Sequence, residues 1–239
     1  MSSVRAVLFD LVGTLVTVRG TVGSQYANVA GAFGIEADPV RLDAAFRAVS
    51  RSVAPIRYSH RSIQAAESAE RQWWRGLVVE VFTRAGSEAA VSGENFDRFF
   101  DHLFRHFATV EAWEVFGDVE PTLEMLGSRG VACALVTNFD LRVRTLLRST
   151  GLDRHFPVVA IPATTGHQKP DPAIFETALL ELGLGPREAA HVGDSIEHDI
   201  RVAAELGMKA VWLDRRNRPP APGILRVTSL ADLGWLERA

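Results

Sequence analysis

Four short stretches of this chain place reactive side chains where apolar runs end. VLFDLVGTLV (7–16) delivers Asp10 and then turns through Gly13 and Thr14, and VACALVTN (131–138) ends on Thr137 and Asn138. GHQKPDP (166–172) presents Lys169, and AAHVGD (189–194) ends on Asp194, with Ser195 and Asp199 following. A carboxylate, a hydroxyl, an ammonium and an acidic pair form a coherent set for phosphoryl transfer. Asp10 is expected to attack phosphorus and form an aspartyl-phosphate, which splits one difficult hydrolysis into two easier steps. Thr137 and Asn138, with the N–H groups of the turn at Gly13 and Thr14, are expected to cradle the phosphoryl oxygens. Lys169 offsets negative charge shared by the phosphate and Asp10. Magnesium prefers oxygen ligands and keeps several waters, so Asp10, the backbone carbonyl of Val12 and Asp194 suffice to hold Mg2+, with Asp199 in support.

Each signal taken singly has a plainer reading. An aspartate before Gly-Thr closes a turn, a threonine at a strand end is a cap, a lysine before proline is a solvated surface residue, and Asp194 or Ser195 caps the next helix. Two acids around one strand-to-helix turn are harder to dismiss, because they crowd negative charge that a cation relieves. The order and spacing of all four stretches favour chemistry.

Elements must hold these residues together, and the second half of the chain supplies them. VACALVTN, PVVAI (157–161), AAHVGD and KAVWLD (209–214) read as continuously apolar strands, which implies burial on both faces and a parallel sheet covered by helices. Between them DLRVRTLLRSTG, DPAIFETALLELG and HDIRVAAELG have helical periodicity, and each stops at a glycine. The expected class is α/β, a doubly wound, Rossmann-like parallel sheet over 1–17 and 113–239 whose strand ends form the site. Residues 18–112 show helical spacing in YANVAGAFG, RLDAAFRAVS, ERQWWRGLVVEVFTRAG and FDRFFDHLFRHF, so an α-helical domain is expected there, inserted after the first strand.

Composition narrows the partners. With 47% hydrophobic and 23% charged residues over 239 positions and a formal charge of -3, the chain reads as an ordinary globular protein with no electrostatic case for nucleic acid. RVRTLLR (142–148) and DRRNRP (214–219) read as a solvated helix face and a surface loop. No apolar run approaches the roughly 18 residues of a membrane span. Cys133 is the single cysteine and lies in an apolar run, so a buried, inert thiol and a cytoplasmic protein are expected. A monomer or homodimer acting on a small phosphorylated metabolite fits these bounds.

In that order the four stretches resemble the haloacid dehalogenase (HAD) superfamily: FDLVGTL matches its first motif, VTN its second, KPDPAIF its third and GDSIEHD its fourth. The resemblance spans essentially the whole chain, the helical insert matching the family's cap domain. RQWW (71–74), VTNFD (136–140), KPDP (169–172) and AAHVGD further resemble the subgroup typified by haloacid dehalogenase-like hydrolase domain-containing protein 3. The resemblance implies a hydrolase with substrate specificity in the cap, where Arg57, Tyr58, His60 and Arg61 of RYSHR are candidates. Trp73 and Trp74 read more simply as core packing.

The family's phosphatases carry a second aspartate two residues after the nucleophile, to protonate the leaving group and later activate water. Here that residue is Val12, which moves no proton, although its carbonyl is unaffected. Three readings stay open: a slow magnesium-dependent phosphatase, a non-catalytic protein that binds metal and a phosphorylated ligand, and a dehalogenase, whose nucleophile displaces halide and needs no leaving-group acid.

Overall fold

A strand that is apolar at every position has no face to offer water, and the computed structural model buries such strands in the centre of a layered core. It describes residues 4–58, 62–87 and 91–235. The chain divides into two compact units, Met1–Thr17 with Val115–Ala239, and Val18–Glu114.

The first unit begins with β1 (Ala6–Phe9), all four of whose residues are buried. The chain leaves through β2 (Val16–Val18) and returns through β3 (Trp113–Val115), which pair as a two-stranded sheet. The division therefore runs through this ribbon, at Glu114 and Val115 rather than at 112 and 113. There follow α5 (Val119–Ser128), β4 (Ala132–Val136), α6 (Val143–Thr150), β5 (Val158–Ala160) and α7 (Pro162–Thr165). Next come α8 (Pro172–Leu182), β6 (Ala189–Gly193), a π-helical turn (Ile196–Ile200), α9 (Arg201–Glu205), β7 (Lys209–Leu213) and β8 (Arg226–Val227).

The six strands run in the order β5-β4-β1-β6-β7-β8, every adjacent pair parallel. Strand order reverses at β1, where β4 lies on one side and β6 on the other, so the carboxyl end of β1 is the switch point at which open α/β sheets bind ligands. Ala6, Leu8, Ala134, Val136 and Ala189 share one buried cluster with Ile174, Phe175 and Leu179 of α8 and Val202 and Ala203 of α9. Val7, Phe9, Cys133 and Leu135 alternate with them and are equally buried, as period-two burial on two covered faces requires. α6 and α8 end at Gly151 and Gly183, both left-handed as the sequence predicts.

One expected helix differs. HDIRVAAELG begins as the π-helical turn, in which Ser195 O accepts from both Asp199 N (3.0 Å) and Ile200 N (3.3 Å). The wider turn sets the Asp199 side chain back against the residues after β6, where Ser195 N donates to it.

The second unit consists of α1 (Val22–Gly31), α2 (Pro39–Ser52), α3 (Ile63–Arg84) and α4 (Gly93–His106). Thr21, Asp38 and Ser62 cap the first three by accepting from backbone N–H groups of the first turn. Its core gathers Tyr26, Leu42, Leu77, Val81, Phe82, Phe96, Phe99 and Phe100. Trp73 and Trp74 pack against this cluster edge to face, their rings 4.9 Å apart, in keeping with a packing role. Tyr58 donates its hydroxyl to the buried Glu70 at 3.0 Å; His60 and Arg61 lie outside the described residues.

Phe82 is fully buried, stacked on Tyr26 and edge-on to Phe99. Phe82→Ala is expected to destabilise the protein by about 3–5 kcal/mol, because the helices collapse only partly into the space left. Urea unfolding followed by tryptophan fluorescence checks this, and an unmoved midpoint would mean that Phe82 is not a core anchor.

Candidate active site

Asp10 follows β1 directly, and its N–H donates to Val192 O of β6 at 2.9 Å, which fixes where its carboxylate starts. Lys169 reaches that carboxylate from the loop before α8: its Nζ donates to Asp10 Oδ1 at 2.7 Å and to Asp199 Oδ1 at 2.6 Å. The three side chains are almost fully buried. Asp194, at the end of β6, completes the group, since carboxylate oxygens of Asp10, Asp194 and Asp199 lie within 4.8 Å of one another.

Two glycines make room for this cluster. Gly13 has φ 90°, and a β-carbon on it would stand 2.7 Å from Asp194 Oδ2. A β-carbon on Gly193 would stand 2.3 Å from Asp199 Cγ. Neither position admits a side chain unless a carboxylate moves.

Charge dictates the protonation pattern. Burial alone would lower the pKa of Lys169, but the charges of Asp10 and Asp199 outweigh it and hold the ammonium above the ordinary lysine value. Burial would likewise raise Asp199; Lys169, and the hydrogen bond from His191, pull it well below the usual carboxylate range. Asp10 is raised, chiefly by burial and further by the charge of Asp199, against the pull of Lys169. Asp194 is pushed up to about 6 by burial and by the charges of Asp10 and Asp199. One ammonium thus faces three carboxylates, and two of them, Asp10 and Asp194, are raised.

The remaining sequence candidates divide into groups. Thr137 is buried, and its Oγ1 accepts from Phe139 N at 3.2 Å, so the hydroxyl keeps its own hydrogen for donation. Asn138, expected to touch the phosphoryl group, has its amide engaged elsewhere: Oδ1 accepts from Lys169 N (2.7 Å) and Nδ2 donates to Lys169 O (2.9 Å). Its place is to pin the lysine loop. Gly13 and Thr14 also differ from expectation, because their N–H groups close the turn, on Val16 O (2.7 Å) and Leu11 O (3.3 Å). Both donors are thus engaged inside the turn. The Leu11 amide instead lies against the Asp10 carboxylate, and Val12 directs an exposed side chain away from the core.

Three residues escape a reading by motif. His191 is fully buried in β6 and its Nε2 lies 3.1 Å from Asp199 Oδ1; a polar residue within an apolar strand was its only sequence signal. DRRNRP does lie at the surface, with Arg216, Asn217 and Pro219 exposed, but two of its arginines make inward contacts: Arg215 pairs with Asp118 and reaches Thr14 O, and Arg218 pairs with Asp214 and reaches Asp194 O. Cys133 is buried, with burial pushing its thiol up to about 12, as an inert cysteine should be.

A parallel sheet with a switch point at β1, and an aspartate–lysine–aspartate bridge at its carboxyl end, define a hydrolase core of the haloacid dehalogenase type. The model for haloacid dehalogenase-like hydrolases matches residues 4–207, and the chain belongs to that family. It is 33% identical over 214 residues to haloacid dehalogenase-like hydrolase domain-containing protein 3 of Danio rerio, covering 90% of this chain and 86% of that one. It is 37% identical over 169 residues to a phosphoserine phosphatase of Thermus thermophilus, covering 70% of this chain and 64% of the relative. The crystal structure of a HAD phosphatase from Thermococcus onnurineus matches with a TM-score of 0.60 at 26% identity, over 96% of this chain and 95% of that one.

The raised pKa of Asp194 has a consequence for stability without divalent cations. The folded state holds this proton up to about pH 6, whereas the unfolded chain loses it near 3.8, so stability falls as pH rises between those values. Asp194→Asn is therefore expected to unfold at a higher temperature than the parent at pH 7.5, with the gap closing towards pH 4. Thermal melts in chelator check the sign, and an unchanged gap across that range would show that Asp194 is not electrostatically stressed.

Proposed function

We propose that this protein is a magnesium-dependent phosphatase that hydrolyses a small phosphorylated metabolite through an aspartyl-phosphate on Asp10. The observation that carries the reading is the bridge of Lys169 between Asp10 and Asp199 with a third carboxylate, Asp194, beside it. Such a cluster suits a hard divalent cation, which prefers several oxygen ligands and offsets the burial and like charge that raise Asp194. Asp10, Asp194 and the Val12 carbonyl would hold it. Asp199 has Oδ1 engaged by Lys169 and His191 and Oδ2 by Ser195 N, so its part is to support the lysine and the turn. When bound, the cation neutralises phosphoryl oxygens and offsets charge that builds up in the transition state.

The protein's own groups divide the work. Lys169 keeps its proton and orients the Asp10 carboxylate; the oxygen of Asp10 attacks phosphorus as the bond to the leaving oxygen breaks. The Thr137 hydroxyl and the Val12 amide donate to the phosphoryl oxygens, in place of Gly13 and Thr14, while the Leu11 amide stays with the Asp10 carboxylate. Water then attacks the aspartyl-phosphate, releasing inorganic phosphate and the free carboxylate. What is missing is the proton at the leaving oxygen, a contribution of roughly 10²- to 10⁴-fold in general acid catalysis. The substrates that suit this site are aryl or acyl phosphates, whose leaving groups depart without one. A single buried cysteine accords with a cytoplasmic setting, and a monomer or homodimer without nucleic acid suffices for this chemistry.

Two measurements test the reading. Calorimetric titration is expected to show magnesium binding to the parent and its loss in Asp194→Asn; equal binding by both would mean that the cation site is misassigned. Val12→Asp is expected to raise turnover of an alkyl phosphate by at least about tenfold while changing that of an aryl phosphate less. If the variant folds, binds magnesium and shows no gain, valine is not the missing element and a non-catalytic binding role takes precedence.

A further inference from the structure

Two of the three arginines of DRRNRP, Arg215 and Arg218, touch none of the reacting groups, yet each ends on a main-chain carbonyl of a loop that carries one. Arg215 donates to Thr14 O from Nε (3.3 Å) and one terminal nitrogen (2.9 Å), while its fork grips Asp118 at 2.8 and 3.0 Å. Asp118 is itself fixed by Ser229 Oγ and Leu230 N, and the guanidinium lies 3.9 Å over the Phe116 ring. Arg218 donates to Asp194 O at 3.0 Å, beside the Trp212 indole N–H at 3.2 Å. Its Nε holds the fully buried Asp214 at 2.8 Å, and it lies over the Trp212 ring.

A carbonyl that accepts from a cation polarises its own peptide and strengthens the N–H on the other side. The peptide of Asp194 O carries the Ser195 N–H, which donates to Asp199 Oδ2 at 3.1 Å. Asp199 in turn holds Lys169, which holds Asp10. The peptide of Thr14 O carries the Leu15 N–H, which donates to Leu11 O at 2.8 Å, and Leu11 O also accepts from Val16 N at 3.0 Å. The peptide of Leu11 O carries the Val12 N–H. Both relays therefore run from an arginine, through main-chain dipoles, into the acid cluster or the turn beside it.

We propose that Arg215 and Arg218 are positioning residues that polarise these two peptide relays and hold the Asp10 turn and the Asp194 loop in register for phosphoryl transfer. Binding carbonyls rather than carboxylates leaves the Asp10 and Asp194 side chains available to cation and substrate. The kinetic part of this inference rests on the phosphatase reading; the polarisation does not.

The experiment uses the full chain and the variants Arg218→Met, Arg218→Lys, Arg215→Met and Arg226→Met. Arg226 also pairs with Asp214 (2.8 Å) and flanks Trp212, so its variant loses a similar ion pair without losing the bond to Asp194 O. Amide spectra without divalent cation are read first. The Ser195 N–H is expected to move upfield in Arg218→Met, the Leu15 N–H in Arg215→Met, and neither in Arg226→Met. With magnesium and para-nitrophenyl phosphate, Arg218→Met is expected to weaken magnesium binding and lower kcat by about 10- to 100-fold with little change in KM, with partial recovery in Arg218→Lys. A Ser195 amide that stays put in Arg218→Met, or shifts equally in Arg226→Met, overturns the proposal. If Arg218→Met does not fold, Arg218→Lys carries the same arm, since one ammonium cannot reproduce the fork and the Ser195 amide must still shift. A parent that neither binds magnesium nor turns over sinks the phosphatase reading, while the amide shifts still decide the relay.

Discussion

A single ammonium between two buried carboxylates organises this site. Lys169, Asp10 and Asp199 come from three places distant in sequence, and each would be costly to bury alone. Their burial is tolerable only as a unit, so the elements that deliver them are constrained together. β1 and β6 must be neighbours, Gly193 must lack a side chain so that Asp199 can approach, and Asn138 must clasp the lysine loop from the end of β4. Asp194 is then left beside two negative neighbours with no ammonium of its own. The same interaction that builds the site creates its demand for a further positive charge.

How much of this was legible in the sequence follows from which interactions are local. Strands buried on both faces announce themselves by unbroken apolar runs, and the helices after them by periodicity and a terminal glycine; the parallel sheet and its carboxyl-end site follow from those patterns. Asp10, Thr137 and Asp194 stand out because each lies where such a run stops, and Lys169 and Asp199 because each follows in the loop or turn beyond one. What did not show was how main-chain groups are engaged. The N–H groups of Gly13 and Thr14 close a turn whose acceptors are backbone oxygens, which side-chain types do not reveal. Arg215 and Arg218 read as surface charge because their partners, Asp118, Thr14 and Asp194, are remote in sequence. The π-helical turn was hidden for the same reason: its cause is the return of Asp199 to Ser195 and Lys169, a tertiary demand that overrides helical spacing.

On the proposed phosphatase reading, the site separates two tasks that catalysis of phosphate ester hydrolysis usually joins. Groups that hold and charge the nucleophile are complete and mutually supported, through Lys169, Asp199, His191 and the Ser195 amide. The group that would deliver a proton to the leaving oxygen is an exposed valine on the turn after Asp10. Nothing in the bridge depends on that side chain. If the site is the phosphatase proposed above, the chemistry of the leaving group, more than the affinity for phosphate, would set what it turns over.

The proposed mechanism requires that Asp10 become phosphorylated. A single turnover of an aryl phosphate with magnesium, quenched in acid and followed by peptide mass analysis, reads this directly. A phosphoryl group is expected on the peptide containing Asp10, located on that residue by fragmentation and absent in Asp10→Asn. Turnover that proceeds with Asp10 unmodified at every quench time, or a phosphoryl group found on another residue, would contradict the proposed mechanism.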